Sequence, residues 1–388
     1  MIDQTYGNLA PREFALGIIQ RLEQTHNVQL QAMLDNDALS TSQKRQLMTT
    51  RLLESIWGGL DGHNAGAQIE APVTEHEERL VAQLEDTQTG AGLQATEVEI
   101  EPNVIVSEHN ANIIRGYQGQ ELYDYVYSLT KRFENMAASK TEGQLAIEMV
   151  AGGVTSVSIP MAVGTVKALR GGAQLLAAVK TGIKGLGMKT AIAVVVVILV
   201  ALLLFLLLDN PKKILGMVFN DTDESWDVTD WRKGIDGAVG SDLYMAHGVM
   251  ESFPEDHETG DLDSPKVQLR KRFYFGPGDE DNQVCAGVYF ADRNIGLRGS
   301  EGIMLFTSRE KQSVIAHQFA VPYTNDNGTN IRVLTSRPAP KDLPNLYREM
   351  YDTRKVRIAT TEHGYNMTST VNDARGGVVA LVASIRSA

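Results

Sequence analysis

Residues 190–208 read TAIAVVVVILVALLLFLLL, a run with no charge, no glycine and no proline. As a helix rising 1.5 Å per residue it would be about 28 Å long, close to a bilayer hydrocarbon core of about 30 Å. A helix that is apolar all round has two stable homes, lipid or a core that covers every side of it. The run is read here as a membrane-spanning segment. Thr190, Val195, Leu199, Leu204 and Leu208 mark its length as expected membrane-insertion residues. A fully buried core helix is the alternative.

The run closes a wider anomaly. Residues 149–208 contain no Asp or Glu, although the chain holds 48 in 388 residues; a proportional share would be about seven. The stretch 149–166 is uncharged but mild, with Gly152, Gly153 and Gly164 allowing close backbone approach. Thr155, Ser156, Ser158 and Thr165 could face water, which makes them pore-lining candidates, and Pro160 would kink a helix there. A small-residue packing surface is the competing reading. Lys167, Arg170, Lys180, Lys184 and Lys189 lie between and beside the two arms. Leu175, Leu176, Val179, Ile183 and Leu186 share a face next to Lys180 and Lys184, as in a basic interfacial helix on anionic lipid. A solvated basic linker would look the same.

Residues 8–148 have helical periodicity. Pro11 suits a first helical turn, and Phe14, Ile18, Ile19 and Leu22 follow at helical spacing. Ser40 and Gln43 form a capping box ahead of Leu47, Met48, Leu52, Leu53 and Ile56, and Thr74 and Glu77 offer another. Leu122, Val126, Leu129, Phe133 and Met136 fall on one helix face. After residue 209 the pattern changes to short β-rich runs separated by Gly, Asp, Asn and Pro turns: 214–219, 267–275, 284–290, 302–307, 313–321, 330–334 and 377–385. A short helix is expected over 344–351, with Pro344 in its first turn.

The expected fold class is therefore α+β and multidomain. An N-terminal α-helical bundle (residues 1–148), shielding or oligomerising, precedes a hydrophobic transmembrane-type helical hairpin (149–208). A C-terminal β-sandwich (209–388) with short flanking helices completes the chain.

The C-terminal half resembles the actinoporins, the sea-anemone pore-forming toxins. The motifs are NPKKILGMVFNDTDESW (210–226), CAGVYFADRN (285–294), QFAVPY (318–323), LYREMY (346–351) and GYNMTSTVNDARGGVVALVASI (364–385). They stand in the family's order over residues 210–387, whereas residues 1–148 have no counterpart there. The resemblance implies a sandwich flanked by two short helices, lipid headgroup recognition by one sandwich face, oligomerisation, and insertion of the helix before the sandwich. It assigns headgroup binding to Pro322, Tyr323, Tyr347 and Tyr351. The chemistry is sensible, since tyrosine faces attract a quaternary ammonium and Tyr347 and Tyr351 are one helical turn apart. Three features depart from the family. The insertion segment is uniformly apolar rather than amphipathic, so it cannot itself line a lumen. A polar TNDNGTN loop (324–330) replaces a tryptophan-rich one. Asp326 and Asp352 bring negative charge to the site.

Other classes are excluded or weak. A net charge of −12 argues against nucleic acid. A lone Cys285 allows no internal disulfide and is expected as a buried small hydrophobe. The eight histidines show no metal-binding spacing, and no nucleophile or phosphate-loop motif occurs, so no catalytic site, cofactor or metal is expected. The acidic loops 253–263 and 276–281 lack calcium-loop spacing. Met1 to Phe14 has neither a basic region nor an apolar one, so no signal peptide is read, and release by lysis or a dedicated machine is expected. The leading expectation is a pore-forming toxin, released soluble and acting at a target-cell membrane as a homo-oligomer. Its partner would be a lipid membrane, through phosphocholine lipids or a glycan receptor. The alternatives are a constitutive membrane protein displaying a binding sandwich, and a glycan-binding lectin with a helical oligomerisation region.

Overall fold

The structure is a computed structural model that describes residues 10–62, 103–137, 186–209, 212–228, 239–251, 267–269, 283–293 and 298–388. Two compact units emerge. Met1–Ile100 and Val126–Leu208 make up most of the first, and Glu101–Tyr125, Asp209–Asp256 and Asp261–Ala388 form the second.

The helices in chain order are α1 (Pro11–His26), α2 (Leu30–Leu34) and α3 (Thr41–Gly62), then α4 (Glu108–Ile114), α5 (Gly119–Ala137) and α6 (Leu186–Leu207). Pro11 opens α1, which buries Phe14, Ala15, Ile18, Ile19 and Leu22 on one face and ends at Asn27 in the left-handed region. The capping box before α3 is present: the Ser40 amide donates to Gln43 Oε1 at 2.9 Å, and the Gln43 amide donates to Ser40 Oγ at 3.3 Å. Leu122, Val126, Leu129 and Phe133 of α5 are buried, as their spacing requires.

Helix α6 is the centre of the helical unit, packed on α1 and α3. Val196 to Phe205 are buried without interruption, so every face of that stretch is covered by protein. Arg12 Nη1 donates to the Leu207 carbonyl at 3.0 Å, satisfying one C-terminal acceptor with a cation where the helix dipole favours one. The second arm of the expected hairpin is a helix, and from Val196 onward it is packed in protein. Among the described residues no helix is long and apolar enough to cross a membrane. The surroundings of α6 side chains are described only from Val196 onward, a stretch of about 18 Å at 1.5 Å per residue. Hydropathy misleads on this point because a bundle core and lipid both satisfy an all-apolar helix. Thr190, Val195, Leu199 and Leu204 lie within α6, and Leu208 falls just beyond its last turn. The first arm, with Thr155, Ser156, Ser158 and Thr165, lies outside the described residues.

The second unit contains two sheets. Its strands are β1 (Asn103–Ser107), β2 (Lys213–Asp221), β3 (Trp226–Val228), β4 (Leu243–His247), β5 (Val249–Glu251), β6 (Val267–Leu269), β7 (Gln283–Asp292), β8 (Ser300–Ser308), β9 (Val314–Val321), β10 (Gly328–Leu334), β11 (Arg357–Glu362), β12 (Tyr365–Val371) and β13 (Val378–Ser387), with helix α7 (Leu343–Asp352) between β10 and β11. One sheet has the order β1-β7-β2-β13-β12-β11 with β5 also on β7; the other runs β10-β9-β8-β3-β6 with β4 on β8. Strands β2 and β13 pair in parallel, a pairing that needs a long crossover, and here the rest of the sandwich supplies it. The inner faces meet in one core that includes Ile214, Val218, Trp226, Phe306, Phe319 and Leu381. Tyr289 lies over Gly216, where a Cβ would fall 2.0 Å from Tyr289 Cζ; only glycine admits the ring.

The segment 103–117 departs from the all-helical expectation for the N-terminal region. Asn103 to Ser107 is a β-branched run, NVIVS, and pairs antiparallel with β7 along its edge. Past α4, Arg115 Nη2 binds the buried Asp221 Oδ2 at 2.8 Å, and Arg357 Nη1 donates to the Gly116 carbonyl at 3.4 Å. This stretch is therefore built into the sandwich.

The turn from β2 to β3 switches sheets and is held by side chains. Asn220 Nδ2 donates to the Glu224 carbonyl at 2.7 Å, and Trp226 Nε1 donates to Thr222 Oγ1 at 3.1 Å. Glu224 Oε1 accepts from Lys311 Nζ at 2.7 Å and from Tyr365 OH at 2.6 Å, and Tyr365 packs edge-on to Trp226. Burial alone would raise the Glu224 pKa, but hydrogen bonds from Lys311, Ser308 and Tyr365 outweigh it and hold the carboxyl below its ordinary 4.5.

Two outcomes are expected. A carboxyl with a depressed folded pKa contributes stability that is present above the unfolded value and lost as pH falls through the folded one. Glu224→Gln should cost about 2 kcal/mol at neutral pH, since its hydrogen bonds are charge-assisted, and should flatten the acid limb of a stability–pH curve below about pH 4.5. Urea melts at several pH values check both. Ile105 and Cys285 are Cα partners across β1 and β7. Directly opposed antiparallel residues have Cα atoms about 4.5–5.5 Å apart, within disulfide reach. Ile105→Cys should oxidise to an intrachain disulfide with Cys285, seen by mass as the loss of two hydrogens. Two persistent free thiols in folded, oxidised protein would refute the pairing.

Candidate functional site

The four residues singled out for headgroup binding gather at one end of the sandwich, where α7 packs on the outer face of the β8–β9–β10 sheet. Leu343, Tyr347 and Met350 of α7 bury against Ile303, Leu305, Val314 and Ala316. Strand alternation puts Glu301 and Gln318 on that same face. Asn330 also lies there, its Nδ2 donating to the Met350 carbonyl at 3.0 Å and fixing the end of α7.

Tyr347 and Tyr351 share a helix face as their spacing predicts, with ring centroids 5.6 Å apart. Their roles differ. Tyr347 is buried, donates its hydroxyl to Glu301 Oε2 at 2.7 Å, and meets Tyr244 edge-on. Burial, the charge of Glu301 and the hydrogen bond to it all raise the Tyr347 pKa, so its hydroxyl stays protonated. Tyr351 is half-buried, and one face of its ring already carries the Arg354 guanidinium, 3.6 Å from the centroid.

Pro322 is buried and Tyr323 is exposed at 43%. The loop carrying Tyr323 is pinned on both sides. A Cβ on Gly299 would lie 2.7 Å from Pro322 Cα and 2.9 Å from Glu301 Oε1, so these groups are close neighbours. Asn325 Nδ2 donates to Tyr351 OH at 3.1 Å. Arg354 donates to the Asp326 carbonyl from Nε and Nη2, and the Asp326 carboxylate pairs with Arg375 Nε at 3.0 Å. The negative charge brought by Asp326 is thus partnered, whereas Asp352 is exposed on α7.

No sequence motif marked Glu301 or Arg354, and Gln318 entered only as the first letter of QFAVPY. Glu301 comes from β8, 46 residues before the tyrosine whose hydroxyl it accepts, and nothing in GSEGIMLF marks it. Only the alternation of β8 and β9 could have placed Glu301 and Gln318 beneath α7, and that needs the sheet pairing first. A second polar group, His317, is a core histidine rather than a site. It lies between the sheets with Nε2 3.2 Å from Ser369 Oγ and 3.3 Å from Thr329 Oγ1, and burial lowers its pKa to about 3. Among the described residues no cluster of three or more His, Cys, Asp or Glu could hold a metal.

No protein-family model matches the chain. No curated protein matches it either. Several solved structures are similar over a little under half of the chain. The lipid binding protein Nakanori is 10% identical with a TM-score of 0.30, covering 45% of this chain and 71% of its own. The Xerocomus chrysenteron lectin XCL is 10% identical with a TM-score of 0.24, covering 45% and 98%. IP-1A from Alcaligenes faecalis is 10% identical with a TM-score of 0.23, covering 46% and 91%.

Tyr347 anchors α7 through a buried bond to a carboxylate. Tyr347→Phe is expected to lower stability by about 2 kcal/mol, as loss of a charge-assisted hydrogen bond does, with the far-ultraviolet dichroism unchanged. Denaturant titration checks it; an unaltered midpoint would show that the bond contributes nothing.

Proposed function

We propose that the chain is a membrane-binding protein of the pore-forming toxin class. The sandwich docks on lipid headgroups through the end that carries Tyr323, Tyr351 and α7. The observation that carries this reading is the fixed gathering of an exposed tyrosine, a half-buried one, a guanidinium and a buried carboxylate at one sandwich end. A tyrosine at such an edge keeps its ring in the interface and its hydroxyl in water. The charged groups suit a headgroup bearing both signs. Two of the motifs resembling the actinoporins, QFAVPY and LYREMY, fall on this same end, which supports the assignment.

The pore-forming step draws on α6. The helix is held in the helical unit by apolar contact and by the Arg12 bond to its last turn. No charge along residues 190–208 opposes its transfer to lipid. In this reading the sandwich binds first, the helical unit opens, and several copies insert together. Residues 149–166, with Thr155, Ser156, Ser158 and Thr165, supply the wet side that α6 cannot. Release from the producing cell and action at a target membrane belong to the same proposal. The lectin alternative predicts glycan binding without lipid.

Flotation of the protein with phosphatidylcholine vesicles loaded with a self-quenching dye tests the two steps separately. Co-flotation with dye release is the expected result. Binding without release at any protein-to-lipid ratio would remove the pore and leave the headgroup site. Absence from the vesicle fraction would remove both.

A further inference from the structure

The chain enters the sandwich twice. Glu101–Tyr125 belongs to the sandwich unit, Val126–Leu208 does not, and the chain returns at Asp209. Strands β1 and β2 flank β7 and both run antiparallel to it. They therefore point the same way, about 10 Å apart, which is twice the spacing of neighbouring strands. The register lines up Ile105, Cys285 and Asn220 across the three strands. Past β1, Ala111 and Ile114 of α4 are buried. Arg115 then pairs at 2.8 Å with Asp221, the last residue of β2, whose side chain has no exposure. Arg386 stands farther from the same carboxylate, at 3.6 Å. The Gly116 carbonyl accepts from Arg357 at the start of β11. Withdrawing this segment would deprive a buried carboxylate of its closer cation and bare the edge of β7, both unfavourable. The second attachment is short, since α6 ends at Leu207 and β2 begins at Lys213.

We infer that β1, α4 and Arg115 form a clamp that stays closed at the membrane, so that the chain between Gly116 and Lys213 enters lipid as a loop held at both ends by the sandwich. The inference rests on the pore-forming reading above and adds its topology. A folded sandwich with exposed charges, such as Arg375 and Asp326, does not pass through hydrocarbon. Both ends of the loop therefore stay on the side where the sandwich docks, and the number of crossings between them is even. Helix α6 cannot cross alone. Helix α5 is not its companion, because Glu121, Asp124, Lys131, Arg132 and Glu134 load it with charge. Residues 149–166 are the longest uncharged run between α5 and α6, and they make the return crossing. Whatever precedes β1 stays on the docking side, including α1 and α3, which pack on α6 before insertion. The cover is left behind rather than carried across.

Two measurements on the full chain with phosphatidylcholine vesicles test it. Ile105→Cys, oxidised onto Cys285, staples β1 to β7. Oxidised and reduced protein should release trapped dye at the same rate. Release that is lost on oxidation and restored by dithiothreitol would overturn the clamp, because β1 would then have to leave β7. Sidedness is read independently in a Cys285→Ala background. Single cysteines replace Leu47, which is exposed on α3, Asp209, which is exposed after α6, and Gly171, which lies between the two uncharged runs. The probe is a maleimide coupled to a dextran that the leaking vesicles retain, added outside after insertion. Leu47→Cys and Asp209→Cys should react at once, and Gly171→Cys only after detergent. Protection of Leu47→Cys with reaction of Asp209→Cys would mean an odd number of crossings and would overturn the inference while leaving the pore intact. Reaction of Gly171→Cys from outside while dye escapes would also overturn it, since no return crossing would exist. Wild-type protein that releases no dye would overturn the pore-forming reading and this inference with it.

Discussion

An all-apolar helix cannot stand in water, and the covering of α6 sets the terms for the helical unit. At about 25 cal/mol per Å² of apolar surface, exposing even one buried leucine costs about 2 kcal/mol. The stretch from Val196 to Phe205 holds ten buried residues in succession. Helices α1 and α3 are amphipathic because they supply the cover. Their buried residues, such as Ile18, Ile19 and Leu22 in α1 and Met48, Leu52 and Leu53 in α3, are spaced to present one apolar stripe each. The polar atoms left over are handled locally. Arg12 caps the end of α6, and buried Glu134 is met by Arg21 and Lys131.

The sandwich unit is governed by a different constraint, the accommodation of polar side chains between and beneath its sheets. Glu224 succeeds fully, with three side-chain donors around one carboxylate. Asp221 is met by Arg115 and Arg386. Beneath α7, Glu301 accepts a hydrogen bond from Tyr347 OH, while Gln318 on the same face has neither amide atom paired, as is also true of the Tyr289 hydroxyl and Ser384 Oγ elsewhere in the sandwich.

Much of this was legible from spacing. The Ser40–Gln43 cap, the buried stripes of α1 and α5, the strand runs from Ile214 to Leu334, and helix α7 all follow from local periodicity and turn chemistry. What escaped was what depends on a partner. Strand β1 is five residues long and gains meaning only against the edge of β7. Strands β3 and β5 are too short to show alternation. The fate of residues 190–208 could not be read from hydropathy, because lipid and a bundle core look alike to it. At the site, i,i+4 spacing put Tyr347 and Tyr351 on one face, but only tertiary packing buried the first against Glu301 and laid Arg354 over the second.

The proposed transfer of α6 from its protein cover to lipid is tested by protease protection after membrane exposure. Protein mixed with phosphatidylcholine vesicles is washed with alkaline carbonate and digested, and the peptides retained by the vesicles are identified by mass. If α6 enters the bilayer, peptides spanning residues 190–208 stay with the lipid and are absent from a digest made without vesicles. Complete removal of the protein by carbonate, with no protected peptide from this segment, would contradict it and leave α6 as core alone.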